Sequence, residues 1–298
     1  MSFKIISPIK RFSILFLLSF ILAFNTNAQV YQENALLWEI SGKDLEEPSY
    51  VFGILKFIPE EDFIFHENAE KAFNSCGILA TETLLDHHAK HELKKAAHLP
   101  HGESLEDHLD EEHFQKLENL FVEDLGVSHL KFNLVYKKFK PVMLSTAITR
   151  LSLNHPMKYY EPVLLAKAHE QNKIAMGLET IEREVEALET FSIEDQVTAL
   201  KHTLDNMEGQ KKDYEEVVKA YREANLHKVL EYTLHPVEMN EDFRQNFIIK
   251  RNEEWIPKMV EYMHMAPTFF GIGASHLSEE FGVLHLLQEQ GYTIKPIQ

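Results

Sequence analysis

The chain has 298 residues and a formal charge of −17, with one cysteine. A single cysteine excludes an internal disulfide, so the core must hold the fold, and the length suffices for one large domain or two small ones. An excess of 47 Asp and Glu over 30 Lys and Arg argues against nucleic acid, whose phosphates need clustered cations, and suits cationic partners better.

Residues 1–28 read as a targeting segment. Lys4, Lys10 and Arg11 form a basic start, Phe12–Phe24 is a short apolar run, and Asn25–Ala28 ends in a small residue. These are the flanks of a secretory signal rather than of a membrane span. A mature chain from Gln29 is expected, secreted or periplasmic. Loss of the leader's three cations, with no acid among them, would take the charge from −17 to −20. No later stretch is apolar and long enough to span a membrane. Cys76 lies far from the cleavage site and reads as a small buried hydrophobe.

Leu36–Ile40 alternates and then meets Ser41-Gly42, which predicts an opening strand, with Tyr50–Leu55 as the second strand of a hairpin. Pro59–Asp62 could start a helix across Phe63–Asn74, since Pro and acids favour a first turn. Gly77–Thr83 reads as a third strand delivering Glu82 to its end. A carboxylate there faces either solvent from an edge strand or a buried partner.

Asp86–Val127 is polar and helical in pattern. Its His87, His88, His91, His98, His101, His108 and His113 read as a solvated face, without a recognised metal motif. Phe132–Leu153 predicts a helix pair broken near Pro141, and Tyr159–Glu170 a further helix. Lys173–Glu179 is another short apolar strand ending in a carboxylate, Glu179, which could cap or pair within the helix that follows. Thr180–Asn225 is almost continuously helical and charged. Val237–Met263 is amphipathic and carries Arg244, Arg251, Asn252 and Trp255, with Pro257 expected to bend it. Trp38 and Trp255 read as core anchors.

Thr268–Leu287 is the most structured stretch. It reads as a buried strand over Thr268–Ile272, a Gly-rich turn carrying His276, and a helix over roughly Glu279–Gln290. Gly271 and Gly273 permit a close backbone approach, and the turn would sit at a strand's carboxyl end, where open α/β sheets bind ligands. A buried histidine satisfied by its surroundings fits the same pattern. Gly291–Ile297 closes the chain as a strand. The fold class is therefore α/β (α+β), with a mixed sheet built from N-terminal, middle and C-terminal strands. One domain over 29–298 would carry a large helical insertion, about 86–170 and 181–265.

Together, LLWEISG…PSYVFGILK, ILATET, KIAMGLETIE, RNEEWIPKM and FFGIGASHLSEEFGVLHLLQEQGYTIKPI resemble the TraB/GumN family across nearly the whole mature chain. Members look like relatives of the Tiki proteases and, more distantly, of erythromycin esterases. The resemblance implies a paired Gly-x-x-His signature and a divalent-metal hydrolase site. On this chain the family's Glu falls on Glu82, its Gly-Leu-Glu-Thr block on Gly177–Thr180, its Arg-Asn pair on Arg251-Asn252, and its second Gly-x-x-His on Gly273–His276. The first falls on Gly53–Lys56, where lysine replaces the expected histidine. Lysine is a three-donor ammonium with no lone pair for a metal.

Two main readings follow from the resemblance. In the first, manganese, cobalt or zinc held by Glu82 and His276, with Glu179, activates water toward a peptide or ester bond. Arg251 then stabilises the oxyanion, and Gly53, Lys56 and Gly273 line the site. In the second, Lys56 fills the metal position, pairs with Glu82 or Glu179, and leaves a non-catalytic protein for an anionic ligand, a peptide or an envelope partner. Haem or iron capture is a third reading, drawn from the wider superfamily and the His-rich helix. A serine hydrolase and a dinucleotide site have no motif here.

Overall fold

A computed structural model describes residues 34–153, 155–233 and 241–298. The expected leader, 1–28, and the opening of the amphipathic stretch expected from Val237 lie outside the described residues. The strands are β1 (Leu37–Ser41), β2 (Ser49–Ile54), β3 (Ile58–Pro59), β4 (Ile78–Thr83), β5 (Met157–Lys158), β6 (Ile174–Glu179), β7 (Thr268–Gly273) and β8 (Thr293–Ile297). Six form one mixed sheet in the order β6-β4-β7-β2-β1-β8, while β3 and β5 pair in a separate two-stranded ladder. All six strands of the main sheet are those expected from the apolar pattern.

Strands β6, β4, β7 and β2 run parallel, and β1 is antiparallel to β2 and β8. The register places Thr83 beside Glu179 and Ile54 beside Gly273, so four strands end along one edge. Strand β4 is buried from end to end, with β6 and β7 on either side. The edge-strand reading of Glu82 is therefore overturned, because a central strand has no solvent face for it.

The helices are α1 (Glu67–Ser75), α2 (His87–Ala96), α3 (Glu111–Asn119), α4 (His129–Leu134), α5 (Pro141–Ser152), α6 (Tyr160–Glu170) and α7 (Ile181–Glu189). They continue with α8 (Ile193–Asp205), α9 (Met207–Arg222), α10 (Leu226–Thr233), α11 (Glu241–Arg244), α12 (Lys250–Met265) and α13 (Val283–Glu289). The polar stretch after Asp86 is not one helix. Asp86 caps α2 through Ala89, Gly102 adopts a left-handed conformation at φ 96°, and Asp110 caps α3 through His113. Pro141 starts α5, where its missing amide has no cost.

Three other expectations shift. The helix expected over Phe63–Asn74 begins only at Glu67, since Glu60–Asp62 form a 3-10 turn. The last helix starts at Val283 rather than Glu279, because Glu279 has φ 70° and Gly282 serves as its N-cap. Between α11 and α12, Gln245–Ile249 make a π-helical turn.

The sheet core is aromatic. Phe269 lies 6.1 Å from Phe52 and 5.3 Å from Phe73, while Phe65 reaches both Phe52 and Phe269. A Cβ on Gly271 would come within 2.8 Å of Leu164 on α6, so that glycine lets the helix seat closely. Helices α12 and α13 add Trp255, Met259, Leu284 and Leu287 to the same core. A second core, with Leu117, Phe121, Phe132, Leu144 and Leu200, holds the helical insertion together. Trp38 is buried with its indole N–H on the Ala35 carbonyl, as an anchor should be. Cys76 is buried too, which pushes its thiol up to about 12 and leaves it unreactive. Phe269→Ala should lower the unfolding free energy by about 3–5 kcal/mol in urea titration, because it empties the centre of this aromatic cluster.

Candidate functional site

The ends of the parallel strands deliver Glu82 from β4 and Glu179 as the last residue of β6. Gly273 ends β7, and Ala274–His276 form a 3-10 turn directly after it. The first turn of α12 brings Arg251 and Asn252 from the far side of the sequence. All of Glu82, Glu179, Arg251, Asn252 and His276 are buried.

Arg251 is the hub. Its Nε donates to Glu179 Oε1 at 2.9 Å and Oε2 at 3.2 Å, and its NH2 group bridges Glu179 Oε1 and Glu82 Oε2, the latter at 3.1 Å. The NH1 group donates to the Phe247 carbonyl at 3.0 Å, inside the π-helical turn. The guanidinium also lies 4.7 Å from the Phe247 ring centre and 4.9 Å from that of Trp255. Its side chain is 0% exposed. Each guanidinium nitrogen thus donates to at least one acceptor within the protein.

Burial pushes the Glu82 carboxyl up, but His276, Arg251, Lys56 and the Gly273 amide pull it down further, to about 2. That amide donates to Glu82 Oε1 at 2.7 Å, and a Cβ on Gly273 would stand 2.8 Å from the same oxygen. Gly273 is thus a glycine so that the backbone can reach the carboxylate. Glu179 is raised by burial and by the neighbouring acids despite its bonds to Arg251. Thr180, not Glu179, caps α7. Gly53 serves packing: a Cβ there would meet Leu277 at 2.9 Å, and its carbonyl accepts from Tyr221.

Asn252 decides the tautomer of His276. Its amide nitrogen donates to the carbonyls of His276 and Phe281, at 3.3 and 2.8 Å, so its oxygen must face the imidazole Nδ1 at 2.6 Å. Nδ1 then carries the proton, and Nε2 keeps the lone pair. Burial drives the imidazole down to about 3, with Arg251 and Lys56 reinforcing and Glu82 opposing. His276 is neutral throughout the physiological range.

Lys56 does not pair with Glu82 or Glu179, contrary to the expectation from sequence. Its side chain is 67% exposed and its ammonium meets Glu184 Oε1 at 3.1 Å, which raises its pKa. Thr83 donates to the other oxygen of Glu184 at 2.8 Å. The position expected for Lys56 between the strand-end carboxylates is filled by Arg251 instead, because the α12 guanidinium reaches both acids at once.

Above these strand ends lies a cleft of about 460 Å³, bounded by Lys56, Thr83, Glu161 and Glu184 and walled by Phe57, Leu93, Phe139 and Met143. Glu161, in the first turn of α6, is half-buried there. Burial, with Glu82 and Glu184 adding repulsion and Lys56 and Arg251 opposing, pushes its carboxyl up to about 7. Sequence reasoning missed Glu161 and Glu184. Neither stands out among the many acids of the polar helices, although Glu161 beside Pro162 does mark a helix start.

These residues fit a divalent ion poorly. Among the described residues, no three His, Cys, Asp or Glu side chains are placed to hold a metal together. Fixed cations already face the carboxylates: Arg251 covers Glu82 and Glu179, and Lys56 covers Glu184. Of the expected ligands, Glu82 and His276, one is bonded to a guanidinium and a backbone amide, and the other offers one lone pair. The histidines after Asp86 are dispersed: His88 bonds Glu182, His108 bonds Glu103, and His113 bonds Asp110 and Asp205.

Among the described residues no helix is long and apolar enough to cross a membrane. The family model that matches is that of the TraB/PrgY/gumN family, over residues 36–296. No curated protein matches the chain, and no solved structure does.

The two titrating groups set opposite pH dependences. His276, at about 3 against an ordinary 6.5, gains its proton first in the unfolded chain, so stability falls as pH drops from 6.5 toward 3. Glu161, at about 7 against an ordinary 4.5, gains its proton first in the folded chain, so its contribution is lost as pH rises from 4.5 through 7. Glu161→Gln should therefore raise the urea midpoint over wild type more at about pH 8 than at about pH 5. The reverse order would show that Glu161 is not held in its protonated form.

Proposed function

Since the chain belongs to the TraB/PrgY/gumN family, we propose that it works as a ligand-binding protein on a hydrolase-type frame whose site its own side chains have closed. The observation that carries this reading is the buried guanidinium of Arg251, hydrogen-bonded to Glu82 and Glu179 at once. A cation so placed does by itself what a metal would do for those carboxylates, neutralising charge that burial makes expensive. Lys56, in place of the histidine implied by the family signature, completes the change by pairing with Glu184.

The cleft beside the triad supports a binding role. Its volume falls within the range of small-molecule sites, and apolar side chains line it together with a few polar ones. The leader read in residues 1–28 would deliver the protein to the periplasm or the exterior, where the ligand would be met.

Metal analysis by mass spectrometry tests the reading on purified residues 29–298 equilibrated with manganese, cobalt and zinc. Wild type should hold no stoichiometric metal and turn over no peptide or ester. Lys56→His alone should also stay empty, because Arg251 still covers both carboxylates. A stoichiometric metal in wild type that is lost in His276→Ala would overturn the proposal and restore the hydrolase.

A further inference from the structure

The polar side of the helical insertion holds a cluster that neither the strand ends nor the cleft uses. His113, in the first turn of α3, stands between two carboxylates from different elements. Its Nδ1 meets Asp110 Oδ1 at 2.7 Å and Oδ2 at 2.9 Å, and its Nε2 meets Asp205 Oδ2, at the end of α8, at 3.3 Å. Ionised carboxylates only accept, so both ring nitrogens donate and the imidazole is doubly protonated as it stands. Two lysines cross the same gap: Lys116 Nζ lies 2.8 Å from Asp205 Oδ1, and Lys201 Nζ lies 2.7 Å from Asp110 Oδ2.

The charges around His113 are Asp110, Glu112 and Lys116 from its own helix and cap, and Lys201 and Asp205 from α8; Glu112 meets Lys116 at 2.9 Å. Of the acids on the turns packed against α3, Glu106 pairs with Lys137 and Asp107 accepts from Ser104, while Glu123 and Asp124 are exposed. With His113 charged, three anions (Asp110, Glu112, Asp205) face three cations (His113, Lys116, Lys201). Without that proton the cluster carries one excess anion, and one ring nitrogen turns a lone pair toward a carboxylate. The proton that stays belongs on Nδ1, where Asp110 offers two close oxygens and is itself fixed by capping the His113 amide. The lone pair then faces Asp205.

We propose that His113 is a pH-sensitive latch between α3 and α8: charged, it ties Asp110 to Asp205, and on losing its proton it releases Asp205 and loosens α3. The two lysines remain, so the latch slackens rather than opens. Its titration agrees in direction. The bond to Asp110 holds the imidazole above its ordinary 6.5, partial burial opposes, and Asp205 adds to the rise. That contribution is fully present below 6.5 and is lost as pH rises through the raised value. Asp110, lowered chiefly by Lys201, and Asp205, lowered chiefly by Lys116, keep theirs above the ordinary 3.8 and lose it only as pH falls further. The latch is therefore closed between 3.8 and 6.5 and slackens above that window. It secures the core that α3 and α8 share through Leu117 and Leu200. The same core holds Leu144 of α5, the helix that gives Met143 and Ala147 to the cleft.

NMR titration of the imidazole nitrogens, with His113→Gln to assign the signal, tests the first half of the proposal. His113 should carry protons on both nitrogens at about pH 6 and titrate with a midpoint above 6.5, and Asp205→Asn should bring that midpoint down. Amide hydrogen exchange tests the second half, read in α3 relative to strand β4 to separate the latch from changes in global stability. After correction for intrinsic rates, α3 protection should fall about threefold between about pH 5.5 and about pH 8.5, the size expected of one exposed ion pair. His113→Gln should show the lower protection at both. A midpoint at or below 6.5 overturns the proposal, because the imidazole is then not held in its charged form. So does a raised midpoint with unchanged α3 protection, or a fall in protection that persists in His113→Gln.

Discussion

Burying Arg251 between Glu82 and Glu179 takes one cation and two anions out of water, and the arrangement around them answers that demand. Desolvation alone would make such a triad costly, and it persists only when every donor and acceptor is met. Strands β4 and β6 end together, and the Arg251 guanidinium bridges Glu82 of one to Glu179 of the other. The β7 turn supplies the Gly273 amide to Glu82, and the π-helical turn before α12 presents the Phe247 carbonyl to the guanidinium. Phe247 and Trp255 cover its faces. Removing any of these leaves a buried charge partly unmatched.

The same triad governs the chemistry available next to it. Its guanidinium is entirely engaged, its histidine is neutral and held by Asn252, and its lysine neighbour is bonded to Glu184. Beside it lies the cleft lined by Lys56, Thr83, Arg150, Glu161 and Glu184. Under the proposed reading, a frame of this kind keeps the concave geometry of strand ends and would move recognition onto the cleft walls.

The strands were legible because each is a short apolar run bounded by turn residues, and Glu82 and Glu179 were visible as acids at strand ends. Arg251, Asn252 and His276 were legible through the family signature. The partners were not. Whether Lys56 or Arg251 meets the strand-end acids depends on how closely α12 approaches the sheet, which no local pattern records. Glu161 and Glu184 look like any other acids on charged helices, and only the fold sets them beside a cleft. The breaks in the helix after Asp86 were missed because Pro100, Gly102 and Asp110 sit in an otherwise helical polar run, and the π-helical turn has no sequence mark at all.

The most direct test of the account is urea denaturation of Arg251→Met beside the triple variant Arg251→Met, Glu82→Gln, Glu179→Gln. The single change strands two buried carboxylates and should cost about 3–5 kcal/mol. The triple variant removes those charges as well and should recover part of that loss, although it carries more substitutions. A triple variant less stable than the single one, or a single variant as stable as wild type, would contradict the claim that this guanidinium holds the site together.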